Sequence, residues 1–430
     1  MQRKIFDNNK FKKLIDLGNF YLNKKNILKA IKEYKKILLM DKNNEIAINN
    51  LSYCYMLNND FKKSETYIKK AIKINPNNGF LYFNSGNLYK RLGKLDLALK
   101  SYNKAILLDP KNINFKFNKS YILLKKKLYE KGWKLYENRI LAEYKNDKIY
   151  NLIKNNLYLK KNLPKKQKII IVPEQGIGDH ILFSSMYKEI INYNPDCKII
   201  VNKRLKNIFK RSFKSANFID EVNLKKISQY TKENYSFIYA GSLGRFIRNK
   251  ISDFTGEPFL IPNEKKVKKY KSILSKYNYK KFIGISWKST ATKVGEKSLS
   301  LSNLKKIFSN KKIGVVNLQY GNNDDLDKFN LTNNKRIINI KNLDLYNEID
   351  DVISLISCLD LVVTTPNVNV HFSGSVAKKC IVLSPIYNEL FLYTGNNKGK
   401  CEWYKNQKTF IIKNNLNKAL KEVGNYLRKI

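Results

Sequence analysis

The chain has 430 residues, 43% of them hydrophobic and 12% aromatic, so it carries apolar surface for two or three domain cores and is neither a disordered segment nor a small stapled scaffold. Its 83 Lys and Arg against 35 Asp and Glu give a formal net charge of +48, a field that attracts phosphorylated ligands, lipid head groups or RNA with an affinity that falls with salt. The lysines are spread along the whole length together with Asn, Ile and Tyr, the pattern of AT-rich codon usage, which sets them apart from a dedicated polyanion-binding block.

At the N-terminus, Met1 to Leu14 contains no apolar leader, and no stretch approaches the ~18 apolar residues of a membrane span, so a cytoplasmic protein is expected. Cys54, Cys197, Cys358, Cys380 and Cys401 include no CxxC pair, which points away from a zinc site or a disulfide framework and towards a reducing compartment. Aligning the chain on itself at a period of 34 superposes Tyr21, Tyr55 and Tyr89, then Ala30, Ser64 and Ala98, then Tyr34, Ile68 and Tyr102. The register continues at Ile37, Ala71 and Ala105 and at Lys42, Pro76 and Pro110. Small residues at close helix approaches, aromatics between helices and a closing Pro form the tetratricopeptide pattern, with repeats over about residues 11 to 111 and a degenerate fourth reaching Arg139. Stacked helix pairs of this kind serve as binding surfaces, or else as spacers or dimerisation elements.

After a Lys/Asn-rich connector, short apolar runs alternate with amphipathic stretches. Strands are expected at 168–172, 198–201, 236–239, 282–285, 313–316, 361–363 and 381–383, with a helix from about Asp179 to Tyr193. Continuously apolar strands separated by helices imply parallel sheets covered on both faces, and a charged break near Pro262 to Tyr279 divides them into two halves facing a cleft. The expected organisation is a repeat domain at 1–144, a linker at 145–166, a first Rossmann-like domain at 167–275 and a second at 276–430.

Two turns carry chemistry. The first runs through Pro173, Glu174, Gln175, Gly176, Ile177, Gly178, Asp179 and His180, where glycines allow close approach of a ligand to free N–H groups at a helix start. Asp179 in such a place serves either as a helix cap or in chemistry. The second runs from Thr364 through Thr365, Pro366, Asn367, Asn369 and His371 to Gly374; its backbone N–H groups, hydroxyls and amides suit a diphosphate. Each turn holds one of the two histidines, although a lone His at a helix start is more often structural.

In their order along the chain, Glu174 to Asp179, Ile285-Ser286-Trp287, Asn317-Leu318-Gln319, Leu359 to Val362 leading to His371, and Trp403-Tyr404 resemble heptosyltransferase-like glycosyltransferases fused to tetratricopeptide repeats. The segment Gly132-Trp133 to Arg139 resembles the join between the two parts of that family. The resemblance implies an α plus α/β chain, with helical repeats followed by a glycosyltransferase B-type pair of Rossmann-like domains. It also implies metal-independent, inverting transfer of a hexosyl or heptosyl group, without a cofactor, from a nucleotide-diphosphate sugar. Asp179 is then the general base, Lys297 the cation at the leaving group, and Trp287, Gln319, Thr365, Asn367, Asn369 and His371 the donor-side residues. Glu174, Gln175, Gly176, Gly178 and His180 complete the acceptor-side turn. The repeats would recruit a protein, glycan or glycolipid acceptor, the charge would permit peripheral contact with an anionic membrane, and no specific nucleic acid is expected. Family members often carry Asp-Thr where this chain has Pro366-Asn367, which removes a carboxylate that grips sugar hydroxyls, and Cys380 stands in place of a Pro. Asp324, Asp325 and Asp327 are expected in a solvated loop. The rival readings are a repeat scaffold with a degenerate transferase domain and an RNA-associated adaptor.

Overall fold

A computed structural model of the chain describes residues 2–163, 165, 167–174, 176–220, 224–289, 298–304, 312–321, 324–332, 337–385, 401–412 and 416–428. They form two compact units, residues 1–126 with 135–142 and residues 127–134 with 143–430.

The first unit pairs Gln2–Asn23 with Ile27–Met40, Glu45–Leu57 with Phe61–Ile74 and Gly79–Arg91 with Leu95–Leu108, followed by Ile113–Lys125. The 34-residue register decides the contacts. Ala30, Ser64 and Ala98 are fully buried, as are Tyr34 and Tyr102. A Cβ on Gly18 or Gly86 would stand 2.6 Å from the ring of Tyr34 or Tyr102, so glycine is required opposite each tyrosine. The next residues, Asn19 and Asn87, accept the tyrosine hydroxyls at 2.7 Å in both cases. In the middle repeat, where Ile68 replaces the tyrosine, the glycine position is Ser52, which exchanges hydrogen bonds with Ser64 at 2.9 and 2.8 Å. Asparagine, abundant in composition, is placed at helix starts: Asn26, Asn44 and Asn78 each accept a backbone N–H of the first turn.

In the second unit, β1 (Ile169–Val172), β2 (Lys198–Val201), β3 (Asn217–Asp220) and β4 (Ser236–Tyr239) form a parallel sheet in the order β3-β2-β1-β4. A second parallel sheet contains β5 (Lys281–Ser286), β6 (Ile313–Asn317), β7 (Leu361–Thr364), β8 (Cys380–Pro385) and β9 (Gln407–Ile412) in the order β6-β5-β7-β8-β9. Every residue of β1, β6 and β7 is buried, so these strands are covered on both faces. The second sheet closes its core with Ile283, Ile285, Val315, Val363 and Leu383 against Leu420 and Val423 of the helix Leu416–Arg428. The chain therefore has an α plus α/β architecture, helical repeats followed by two parallel-sheet, Rossmann-like domains. Helix Glu264–Ser275 links the sheets and docks on Ile349–Cys358, where Tyr270 donates to Asp351 at 2.9 Å and Lys266 pairs with the same carboxylate.

The structure departs from the sequence reading in several places. β3 and β9 lie outside the expected strands; both are at sheet edges, where β3 buries only Ile219 and β9 opens on polar residues, with buried Gln407 and Thr409 flanking exposed Lys408. The helix expected from Asp179 to Tyr193 is broken into Ile177–Ser184 and Tyr187–Tyr193, with the Ser184 hydroxyl taking the Ile181 carbonyl at the break. The Lys/Asn-rich stretch before β1 is not bare chain, since Lys148–Ile153 is helical and Leu157 bridges to Phe237. Asp324, Asp325 and Asp327 open the helix Asp324–Thr332, where acidic side chains complement the N-terminal dipole, and do not sit in a loop. Trp133, in the segment read as the join, is no such departure: its indole covers Gly244, which has no room for a Cβ, and donates to the Arg248 carbonyl at 2.8 Å.

Candidate active site

The turn after β1 is built on a buried carboxylate. Glu174 is 3% exposed and accepts from Gly241 N at 2.5 Å and from the Tyr144 hydroxyl at 3.5 Å, so it anchors the turn that follows β4. Gly176 starts the helix Ile177–Ser184 from extended backbone, with φ −99° and ψ 174°, and makes no side-chain cap. Asp179 is therefore the third helical residue, half-buried, and is not the N-cap. Gln175 lies outside the described residues.

Helical geometry sets successive residues about 100° apart, which separates three faces of this short helix. Ile177 and His180, with Gly176, line a cavity of about 200 Å³ at the C-terminal ends of β1 and β2. Gly178 faces the second Rossmann-like domain, where a Cβ would stand 3.0 Å from Cδ2 of His371. Asp179 is on the third face of the same helix and is not among the residues that line the cavity.

Both histidines are buried. His371 is 0% exposed, and its Nδ1 is 2.9 Å from the Tyr404 hydroxyl. Tyr404 in turn lies over Gly374, where a Cβ would come within 2.3 Å of its ring. Phe209 meets His180 edge-on at 5.3 Å. Burial holds each imidazole far below its ordinary value, at about 3, so both rings are neutral and neither is a reservoir of charge near pH 7.

The second turn is closed on itself. Asn367 starts the helix Val368–Ser375 and accepts from Asn369 N at 3.0 Å, while its amide donates to Ser286 Oγ at 3.0 Å and to the Lys288 carbonyl at 3.2 Å. The Asn369 amide donates to Ser286 Oγ at 3.0 Å and to the Leu318 carbonyl at 3.1 Å. Thr364 completes the knot through Ser286, 2.6 Å away, and Asn367 Oδ1 at 3.0 Å. The asparagines thus join the ends of β5, β6 and β7. Thr365 Oγ1 is different: it is buried and has no hydrogen-bond partner among the described residues.

Gln319 is likewise used internally, accepting from Trp287 N at 3.0 Å and Lys288 N at 2.8 Å and donating to the Tyr320 carbonyl at 3.0 Å. Trp287 is fully buried in the core beneath it. Lys297 lies outside the described residues. Asp325 pairs with Lys288, whose ammonium holds the carboxylate below its usual range. Among the described residues, no three His, Cys, Asp or Glu side chains are grouped to hold a metal ion, and no helix is long and apolar enough to cross a membrane.

The sequence reading missed Ser286 as the hub of the second turn and Arg204 at the end of β2. Arg204 lines the cavity, donates to the Tyr346 carbonyl at 3.2 Å and stacks on the Tyr346 ring at 4.6 Å. The available signal for Arg204 was its place just past a strand's C-terminal end, the rule already applied to the two turns.

Three models of the tetratricopeptide repeat match residues 14–44, 46–78 and 80–112. Protein FlbA of Caulobacter vibrioides is 25% identical over 280 residues, which cover 61% of this chain and 46% of that protein, so the chain spans about half the length of that relative. Among solved structures, a mutant O-GlcNAc transferase of Thermobaculum terrenum aligns with 98% of this chain and 93% of its own, at 9% identity and a TM-score of 0.35. The crystal structure of MamA aligns with 32% of this chain and 81% of its own, at 22% identity and a TM-score of 0.28. At these scores the fold rests on the strand order and repeat packing described above.

Proposed function

We propose that the chain is a metal-independent, inverting glycosyltransferase of heptosyltransferase-like type, moving a hexosyl or heptosyl group from a nucleotide-diphosphate donor to a hydroxyl acceptor. The observation that carries this reading is the helix that bears Asp179: its Ile177 and His180 line a cavity on the first Rossmann-like domain, and its Gly178 meets His371 of the second. A half-buried carboxylate there takes the proton as the acceptor oxygen attacks the anomeric carbon. The bond from that carbon to the diphosphate breaks, and the nucleoside diphosphate departs with the electron pair. The growing negative charge faces the N-terminus of Val368–Ser375 and the hydroxyl of Thr365, within the field of a chain of net charge +48. In this reading Trp287, Gln319, Asn367, Asn369 and His371 shape the donor turn, Lys297 supplies the cation and Glu174, Gly176 and His180 form the acceptor side. The repeats recruit a protein, glycan or glycolipid acceptor, in the cytoplasm, with peripheral contact to an anionic membrane.

One observation favours a second reading, a non-catalytic repeat scaffold. The amides of Asn367 and Asn369 spend their hydrogen bonds on Ser286, Lys288 and Leu318, leaving few side-chain donors in the turn for a diphosphate. Isothermal titration of the full chain with a panel of nucleoside diphosphates separates the two. Binding of one of them supports the transferase, and binding of none supports the scaffold.

A further inference from the structure

The cavity lined by Ile177 and His180, which flank Asp179 in the chain, has a composition unlike that of a sugar site. Ile149, Val172, Ile200 and Ile227 form its walls, while Glu174 is already bound to Gly241 and Tyr144. At about 200 Å³ it is smaller than the ≈ 300–1,000 Å³ of typical small-molecule pockets, too small for a nucleotide sugar, and most of its wall is apolar. Among the described residues, one polar side-chain atom of its lining is unsatisfied. His180 is 3% exposed, and its Nε2 has no hydrogen-bond partner among the described residues. Burying such an atom is costly unless something reaches it. Arg204 and Asn202 add a cation and an amide, suited to main-chain carbonyls.

We propose that this cavity is an acceptor subsite that takes one apolar side chain of a polypeptide, the residue flanking the hydroxyl-bearing one presented to Asp179. The proposal rests on the transferase reading for the role of that hydroxyl. A polypeptide is favoured over a lipid chain for two reasons. The subsite, at about 200 Å³, has room for one side chain, and the same chain carries tetratricopeptide repeats, an architecture that presents extended surfaces to peptides and proteins. His180 then does what a polar atom in an apolar pocket does: it fixes the orientation of the guest.

The test uses binding, so that it does not depend on transfer. Serine-centred peptides scanned at each flanking position with Leu, Tyr, Ala and Asp are titrated against the full chain by fluorescence anisotropy. The expected result is one position at which Leu or Tyr binds about tenfold or more tighter than Ala. Ile227→Phe, which fills the cavity, and His180→Phe, which removes the polar atom, should reduce that preference to within about twofold, with melting temperature as the check on folding. Should either variant fail to fold, a photoreactive leucine at the preferred position is crosslinked to the unaltered protein, and attachment to Ile149, Ile200 or Ile227 is expected. Absence of any flanking preference, preference unchanged in the folded variants, crosslinks confined to other residues, or displacement of the peptide by decanoate each overturn the proposal. A flanking preference without transfer of any sugar leaves the subsite standing and sinks the transferase reading. Transfer without a flanking preference does the reverse.

Discussion

A Cβ added to Gly178 would stand 3.0 Å from Cδ2 and 3.5 Å from Nε2 of His371, so the first Rossmann-like domain meets the second through the smallest residue of its turn. The ring cannot swing aside freely, because Tyr404 holds its Nδ1 and itself covers Gly374. The distance between the two turns is thereby set by a glycine, a neutral imidazole and a tyrosine. Gly178→Ala should force the helices apart by a few tenths of an ångström, lowering stability by about 1 kcal/mol and turnover by roughly 10-fold or more. Calorimetry and a transfer assay measure the two effects, and an alanine variant indistinguishable from the parent would show that the contact yields without consequence.

Asp179→Asn keeps the shape of the turn and removes the proton acceptor. Turnover should fall on the order of 10²–10⁴-fold while nucleotide binding is retained. Near-parental turnover would reduce Asp179 to a residue that complements the helix dipole.

Acid should destabilise the fold before the carboxylates titrate. His180 and His371 are held at about 3 in the folded chain by burial, while an unfolded histidine takes up its proton near 6.5. Below about pH 6.5 the unfolded state binds more protons, so this contribution is complete above that pH and is lost progressively as pH falls towards 3. Unfolding free energies from denaturant titrations between pH 7 and 5 should decline by up to about 1.4 kcal/mol per pH unit for each histidine. His180→Phe should halve that slope, and an unchanged slope would mean that His180 is not the group being protonated.

The repeat turns place Lys25, Asn59, Gly93 and Lys127 at φ of 59°, 60°, 70° and 63°, the left-handed conformation, yet only one of the four is glycine. Lys25→Gly should raise stability by about 0.5–1 kcal/mol, read from a thermal melt, whereas Asn59→Gly should change little because asparagine tolerates this region. A destabilised Lys25→Gly would mean that the lysine side chain contributes more than the strain it imposes.

Chelation should leave transfer unchanged. The proposed chemistry relies on a helix N-terminus and cationic side chains, and the Asp325 carboxylate, on the helix after β6, is paired with Lys288 just past β5. Assays with and without EDTA decide it, and strict dependence on magnesium or manganese would redirect attention to Asp324 and Asp325.

The sequence alone determined the helical unit, because its decisive contacts are local: Gly18 with Tyr34 and Gly86 with Tyr102 sit on neighbouring helices of one repeat, and the period of 34 repeats the same geometry. It also determined the central strands and the two turns that follow β1 and β7, since buried parallel strands read as continuous apolar runs and end in Gly- or Asn-containing turns. The edge strands β3 and β9 escaped, because half-exposed edges mix polar and apolar residues. Only the tertiary structure decided what the turns do with their side chains. Asn367 and Asn369 have the composition of a ligand-binding turn, but Ser286 arrives from β5 and takes their amides. His180 and His371 look alike in sequence, yet one is paired with Tyr404 and the other leaves a bare nitrogen beside an apolar cavity. Helix and strand propensities act over a few neighbouring residues, whereas the partner of a buried polar atom is chosen by strands and helices far apart in the chain, and no local pattern encodes that meeting.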